Sequence, residues 1–388
     1  MKVAIVLLLA IILVSVGLSY AVVYYNQESS AREEFFFGVS FGQRTVAEAK
    51  DMIDKVKGYT NFFLINSWGI VTNKAALNET CDYAAQAGLK FIVFFDLISR
   101  VAYDWHQTWL EPNGSGEGGE KTAKELWGDK FLGVHLRDEL GGKQIDDAPT
   151  NKSAAKAADY SDAANRFIAN ITSANSTVDA KSKGVPMFIS DYALYWFDYL
   201  SGYDTVLVEL GWNHSTAQHI ALCRGAAKMQ GKDWGAIIVH TYRQPPYLAD
   251  HDKILKDMKA AYHAGAKYVV VFDYAEDEAG KPYSILTEEH FTAMQEFWAY
   301  VNENPEKHGA TVGQAAFVLP KDYGWGMRSV TDNIWGLWPA DEKAPIIWEN
   351  MNKLIQKYGL DLDIVYDDDR FNIGEKYSTV YYWNSTIE

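Results

Sequence analysis

Eight runs rich in aromatic and β-branched residues recur at even intervals along this chain, and that rhythm constrains the fold more than any other feature. They lie at 35–42 (FFFGVSFG), 60–67, 89–96, 131–139 (FLGVHLRDE), 186–193, 205–212 (TVLVELGW), 234–241 and 267–274. Between them, apolar residues fall at helical spacing, as at Val46, Ala49, Ile53 and Val56 and again at Ile254, Met258, Ala261 and Tyr262. Gly58, Gly88, Gly231 and Gly265 stand where those helices should stop, a position that favours a residue without Cβ. Eight strand–helix units over about 270 residues match a (β/α)8, or TIM, barrel in count and length. The alternative is an open doubly wound α/β sheet, whose first turn would carry G-x-G-x-x-G; this chain has SFGQRT there.

The barrel is expected over residues 35–303. Beyond it, runs at 315–320, 360–367 and 377–383 with a helical stretch near 343–358 predict a small C-terminal β-α-β-β (α/β) module over 310–388. Trp325, Trp335 and Trp338 in its first loop are read as packing against the barrel, with a place in a binding cleft as the alternative.

The amino terminus has a different character. Val3 to Tyr25 is a run of 23 residues without a charge, long enough to cross a bilayer as a helix. Residues 1–25 therefore read as a membrane anchor, or as a signal segment if cleavage follows Ser19-Tyr20-Ala21. Residues 26–34 read as a polar spacer. Lys2 keeps the start inside and places the barrel on the extracellular face, or in the medium if the segment is removed. Sequons at Asn78, Asn113, Asn151, Asn170, Asn175, Asn213 and Asn384 point the same way. Cys81 and Cys223 are far apart, without ligand spacing, and are expected to be buried free thiols. A net charge of -15 argues against nucleic acid as a partner; a neutral carbohydrate fits better.

Barrel enzymes carry their working groups at the C-terminal ends of the strands. Those ends hold Trp68, Asp96, Arg137, Asp138, Glu139, Asp191, Tyr192, Glu209, Trp212, His240, Tyr242, Asp273 and Tyr274. Strand alternation sends Leu132, Val134 and Leu136 toward the helices and His135, Arg137 and Glu139 into the lumen; on the sixth strand, Leu207 and Glu209 face inward. An inward glutamate among apolar neighbours needs a partner, a raised pKa or a function. Two facing carboxylates and many rings suit glycosidic cleavage, with one acid protonating the leaving oxygen and rings stacking on sugar faces. Trp105 and Trp109 in the third βα loop, and Trp196 after the fifth strand, extend the aromatic set.

With these residues in place the chain resembles the (β/α)8 glycoside hydrolases, over roughly residues 35–303 and in architecture and site placement rather than in close motifs. In the retaining barrel glycosidases an acid/base glutamate ends the fourth strand after an asparagine, and a nucleophile glutamate ends the seventh. Glu139 matches the first position, with Asp138 in place of the asparagine. The seventh strand ends in His240-Thr241-Tyr242, so the resemblance implies that Glu209, Asp273 or Asp191 supplies the second carboxylate. Catalytic roles are thus expected for Glu139, Glu209 and Asp273. Substrate contacts are expected from Trp68, Asp96, Trp105, Trp109, Arg137, Asp191, Tyr192, Trp212, His240, Tyr242 and Tyr274. A non-catalytic glycan-binding or envelope glycoprotein on the same scaffold is the alternative. No cofactor or metal is expected: His-x-His is missing from the first strand, and G-x-S-x-G and Walker motifs are absent. Asp96, Asp191 and Asp273 form the set open to a divalent cation.

Overall fold

Near-continuous apolar runs are what strands buried on both faces require, and here they close into a ring. The structure, a computed structural model, describes residues 34–95, 104–110, 121–274 and 285–387. Strands β1 (Phe36–Gly42), β2 (Phe62–Ile65), β3 (Lys90–Phe94), β4 (Phe131–His135), β5 (Met187–Asp191), β6 (Thr205–Leu210), β7 (Asp233–Ile238) and β8 (Tyr268–Tyr274) form a closed barrel in sequence order. All eight pairings are parallel. The interior is filled by alternate residues of these strands, among them Phe36, Phe62, Leu64, Ile92, Phe188, Leu207, Ile237 and Tyr268. It is a packed core.

The helices arise as the periodicity predicts. Ala49, Ile53 and Val56 are the buried stripe of the helix Val46–Val56, which starts on a Thr45–Glu48 capping box. In His251–His263 the buried stripe includes Ile254, Met258, Ala261 and Tyr262. Gly88, Gly231 and Gly265 have positive φ at helix ends, and Gly58 does not. Cys81 and Cys223 are free and buried.

A second sheet, of order β10-β9-β11, is built from β9 (Ala315–Leu319), β10 (Leu362–Tyr366) and β11 (Thr379–Tyr382), all parallel. It packs on the barrel helix Thr216–Gln230 closely enough that a Cβ at Gly225 would lie 2.5 Å from the Ile364 carbonyl oxygen. Trp325 and Trp335 are buried packing residues. The amino-terminal run falls outside the described residues; among those described, no helix is long and apolar enough to cross a membrane.

Candidate active site

Regular alternation does not explain how β4 delivers its side chains. Phe91 of β3 pairs with Phe131, but Ile92 pairs with Gly133, so Leu132 is an extra residue in a bulge. Leu132 consequently packs against the interior cluster instead of facing the helices. Gly133 takes a φ of 147° with its Cα against Pro186, where a Cβ would come 2.3 Å from the carbonyl oxygen. The parity is restored after it, and His135 lines the cleft as expected.

The strand stops at His135, four residues earlier than its sequence pattern implies. Arg137 and Glu139 then adopt left-handed backbone, with φ of 64° and 52°. Alternation is lost across this turn, and adjacent Asp138 and Glu139 both line one cleft. The turn is held from β5. The Glu139 amide donates to the Ser190 carbonyl at 2.9 Å, and the Ser190 hydroxyl donates to Asp138 Oδ1 at 2.8 Å.

Asp191 completes this support. Its fully buried carboxylate accepts the amides of Gly141 (2.5 Å), Gly142 (2.8 Å), Tyr192 (2.7 Å) and Ala193 (3.1 Å). Burial pushes its pKa up to about 7 against those four donors. The glycine pair is thereby explained: a Cβ on Gly141 would lie 2.2 Å from the Ala193 oxygen, and one on Gly142 would lie 2.0 Å from the Tyr192 ring. Asp191 thus holds the helix Leu140–Asp146, which begins at Glu139, and does not reach the cleft surface.

The deep part of the cleft measures about 310 Å³ and is lined by Glu139, Glu209, Asp138, His135, Asn66, Trp68, Trp212, His240, Tyr274 and neighbouring apolar side chains. Glu209 shares the inward parity of Leu207 on β6 and is 4% exposed. It has no hydrogen bond or ion pair among the described residues. Burial, followed by the negative charges of Glu139, Asp138 and Asp191, raises its pKa well above the ordinary carboxylate range. Glu139 rises to about 7, first through burial and then through Asp138, while Lys143 opposes the shift. Lys143 Nζ is 3.6 Å from Glu139 and 3.6 Å from Asp138. Burial also holds His135 neutral, near pKa 4.

Other expected site residues are placed as follows. Arg137 has a buried Nε without a partner among the described residues; the cation beside Glu139 is Lys143. Asp273 is on the outer side of β8, between the inward Phe272 and Tyr274, and accepts hydrogen bonds from Gln43 Nε2 (2.9 Å) and the Leu286 amide (3.3 Å). Trp109 is a core ring against Phe95, Trp127 and Phe131, its indole donating to Asn78. Trp105 packs on Phe95 and His106, and Trp196 on Tyr366 and Phe371 of the C-terminal module. Asp96 lies outside the described residues. Trp68, Trp212, His240 and Tyr274 do line the deep cleft, with the Trp212 ring stacked on His240 at 5.5 Å. Tyr242 is exposed beside it.

A shallower lobe of about 450 Å³ adjoins the deep one and shares Glu139 and Trp212 with it. Its other walls are Asp146, Tyr192, His214, Thr241, Arg243 and Arg328. Arg328 comes from the loop after β9, which the sequence marked only by its tryptophans. No short-range pattern in the chain links it to Asp146, 182 positions away.

Solved structures of similar fold include the β-galactosidase of the psychrophilic Marinomonas ef1 (TM-score 0.55, 11% identity, 90% of this chain and 72% of that one). Others are the β-galactosidase of Bacillus circulans sp. alkalophilus (0.54, 8%, 90% and 67%) and α-L-fucosidase isoenzyme 2 of Paenibacillus thiaminolyticus (0.53, 14%, 89% and 59%). The chain thus spans between 59% and 72% of these three proteins. At such identities the likeness is one of fold alone, a (β/α)8 barrel. No protein-family model and no curated protein matches the sequence.

Proposed function

We propose that this protein cleaves glycosidic bonds with Glu139 as general acid and Glu209 as its carboxylate partner. The observation that carries the reading is the pair itself: two carboxyl groups from the ends of β4 and β6 line one ring-walled cleft, and both have raised pKa values. Each disfavours ionisation of the other, so the pair retains a proton near neutral pH. Glu139, at the junction of the two lobes, gives its proton to the leaving oxygen. Glu209, deeper in the lumen, meets the positive charge that grows at the anomeric carbon, and that charge favours its ionised form. Trp68 and Trp212 offer faces for sugar rings.

The test compares substrates whose leaving groups differ in basicity. Glu139→Gln should lose activity on an oligosaccharide, whose leaving alcohol needs a proton, and retain most of it on an aryl glycoside with an acidic phenol, which does not. Equal losses on both substrates would remove Glu139 from the acid role. Glu209→Gln should abolish both activities.

The reading includes export. Asn151, Asn170, Asn175, Asn213 and Asn384 are all exposed, as glycan acceptors must be, and the apolar start would serve as anchor or signal. Mass spectrometry of the native protein that finds these asparagines unmodified would count against it.

A further inference from the structure

The two lobes that meet at Glu139 differ in charge. Among its described lining residues the deep lobe has three carboxylates, Asp138, Glu139 and Glu209, and neither lysine nor arginine. The shallow lobe has two guanidinium groups, Arg243 and Arg328, beside the carboxylates of Asp146 and the shared Glu139. One is already matched. Arg328 forms a two-pronged pair with Asp146 (Nη1–Oδ2 2.6 Å, Nη2–Oδ1 2.8 Å) and another with Asp332 (Nε–Oδ2 2.9 Å, Nη2–Oδ1 2.9 Å). This bracing also sets Arg328 5.9 Å from the Tyr192 ring centre, and Tyr192 in turn donates to Asp146 at 2.9 Å.

Arg243 is different. It is exposed on the cleft wall after β7 and has no acidic partner among the described residues. That is unusual in a chain of net charge -15, where carboxylates outnumber cationic side chains. Two neutral polar side chains accompany it: Thr241 contributes a hydroxyl, and the His214 ring lines the same lobe. An unmatched guanidinium with adjacent hydroxyl and imidazole groups suits an oxyanion, which accepts forked hydrogen bonds from arginine. The lobe volume lies within the range of small-ligand sites.

We propose that the shallow lobe is a subsite for a sugar unit bearing an oxyanion, a carboxylate or a sulfate ester, on the leaving-group side of the scissile bond. The assignment of side rests on the reading of Glu139 and Glu209 above: Glu209 fixes the anomeric centre in the deep lobe, so the departing unit lies across Glu139, toward Arg243. Arg243 is then a specificity-determining residue. It does not touch the reacting atoms.

The experiment uses the full chain carrying Glu139→Gln, so that ligands bind without turnover, and calorimetric titration with three oligosaccharides of equal length: neutral, uronate-bearing and sulfated. At least one acidic ligand should bind 10-fold or more tightly than the neutral one, and added salt should erode that preference. A second substitution, Arg243→Ala, should collapse the ratio toward one, and Arg243→Glu should invert it. Thermal unfolding of each variant checks that the barrel persists. A preference for the carboxylate alone or for the sulfate alone identifies the oxyanion, and either supports the proposal. Equal binding of neutral and acidic ligands, a preference that survives Arg243→Glu, or no binding at all overturns it. Cleavage is scored separately with the wild-type chain: turnover of neutral and acidic substrates at equal efficiency, lost in Glu139→Gln, would leave the catalytic reading standing while the subsite fails.

Discussion

Two carboxylates are buried to nearly the same degree and are treated in opposite ways. Asp363, on β10 where the C-terminal sheet meets the barrel helix, is fully enclosed. Arg224 Nε donates to it at 2.7 Å and the Tyr377 hydroxyl at 2.9 Å. The rest of that guanidinium is engaged by the carbonyl oxygens of Thr311, Leu360 and Leu362. Glu209, on β6, has no such partners among the described residues. An unpaired buried carboxylate costs several kcal/mol if ionised. Burial without a partner is not confined to the cleft: Asp198, on the helix Tyr195–Leu200, is fully buried with both carboxyl oxygens unpartnered among the described residues. What sets Glu209 apart is its place: an unpartnered carboxyl group, raised in pKa, that lines the same cleft as Glu139.

The contrast can be broken most forcefully at the cleft. Glu139→Gln keeps the shape and removes the titrating proton, and turnover of an oligosaccharide should fall by roughly 10² to 10⁴ while binding is largely retained. Wild-type turnover in this variant would remove Glu139 from the acid role and leave Glu209 without a catalytic partner. At the other site, Arg224→Met strands Asp363. Denaturant unfolding should register a loss of about 3–5 kcal/mol, the cost of breaking a buried pair from one side; a loss below ~1 kcal/mol would erase the distinction between the two carboxylates.

Titration sharpens the comparison further. The pKa of Glu139 rises from 4.5 to about 7 on folding, so the folded state binds more protons than the unfolded state between these values. Stability from this group is therefore highest below pH 4.5, declines as pH climbs to about 7, and is flat above. Unfolding midpoints across that window should fall more steeply for the wild type than for Glu139→Gln, and parallel curves would refute the shift. The smallest effect is expected at the rim. Trp212→Ala should weaken oligosaccharide binding by on the order of 1 kcal/mol without unfolding the barrel, measured by calorimetry.

How far the site can be read from sequence depends on the range of the interactions that build it. The eight strands, their helices and the inward parity of Glu209 follow from periodicity, which is local. The position of Glu139 in the cleft was expected from simple alternation on β4. It is reached instead through a bulge at Leu132–Gly133 and two left-handed residues, Arg137 and Glu139, a geometry without a reliable sequence signature. Asp191 looked like a substrate ligand because it ends a strand, but its four amide partners exist only once Gly141 and Gly142 pack against β5. Trp109 looked like a sugar platform because it follows a strand end in a polar loop. Its contacts with Phe95, Trp127 and Phe131 put it in the core. Arg328 reaches the cleft from 182 positions beyond Asp146, a separation at which composition and period carry no information.

That long reach governs the order in which the molecule can be finished during synthesis. The helix after β6 emerges with Arg224 exposed, and its counter-charge Asp363 follows 139 residues later; at about 5–20 residues per second the ribosome needs roughly 7–28 s to supply it. β7 and β8 follow Arg224 in the chain, so the barrel cannot close until Tyr274 has been added; after that the helix following β6 still has one face uncovered, and until residue 328 the cleft lacks the wall that Arg328 will complete. The nascent chain thus passes through a closed ring with an unfinished mouth, and the shallow lobe gains its full lining only once Arg328 has been added.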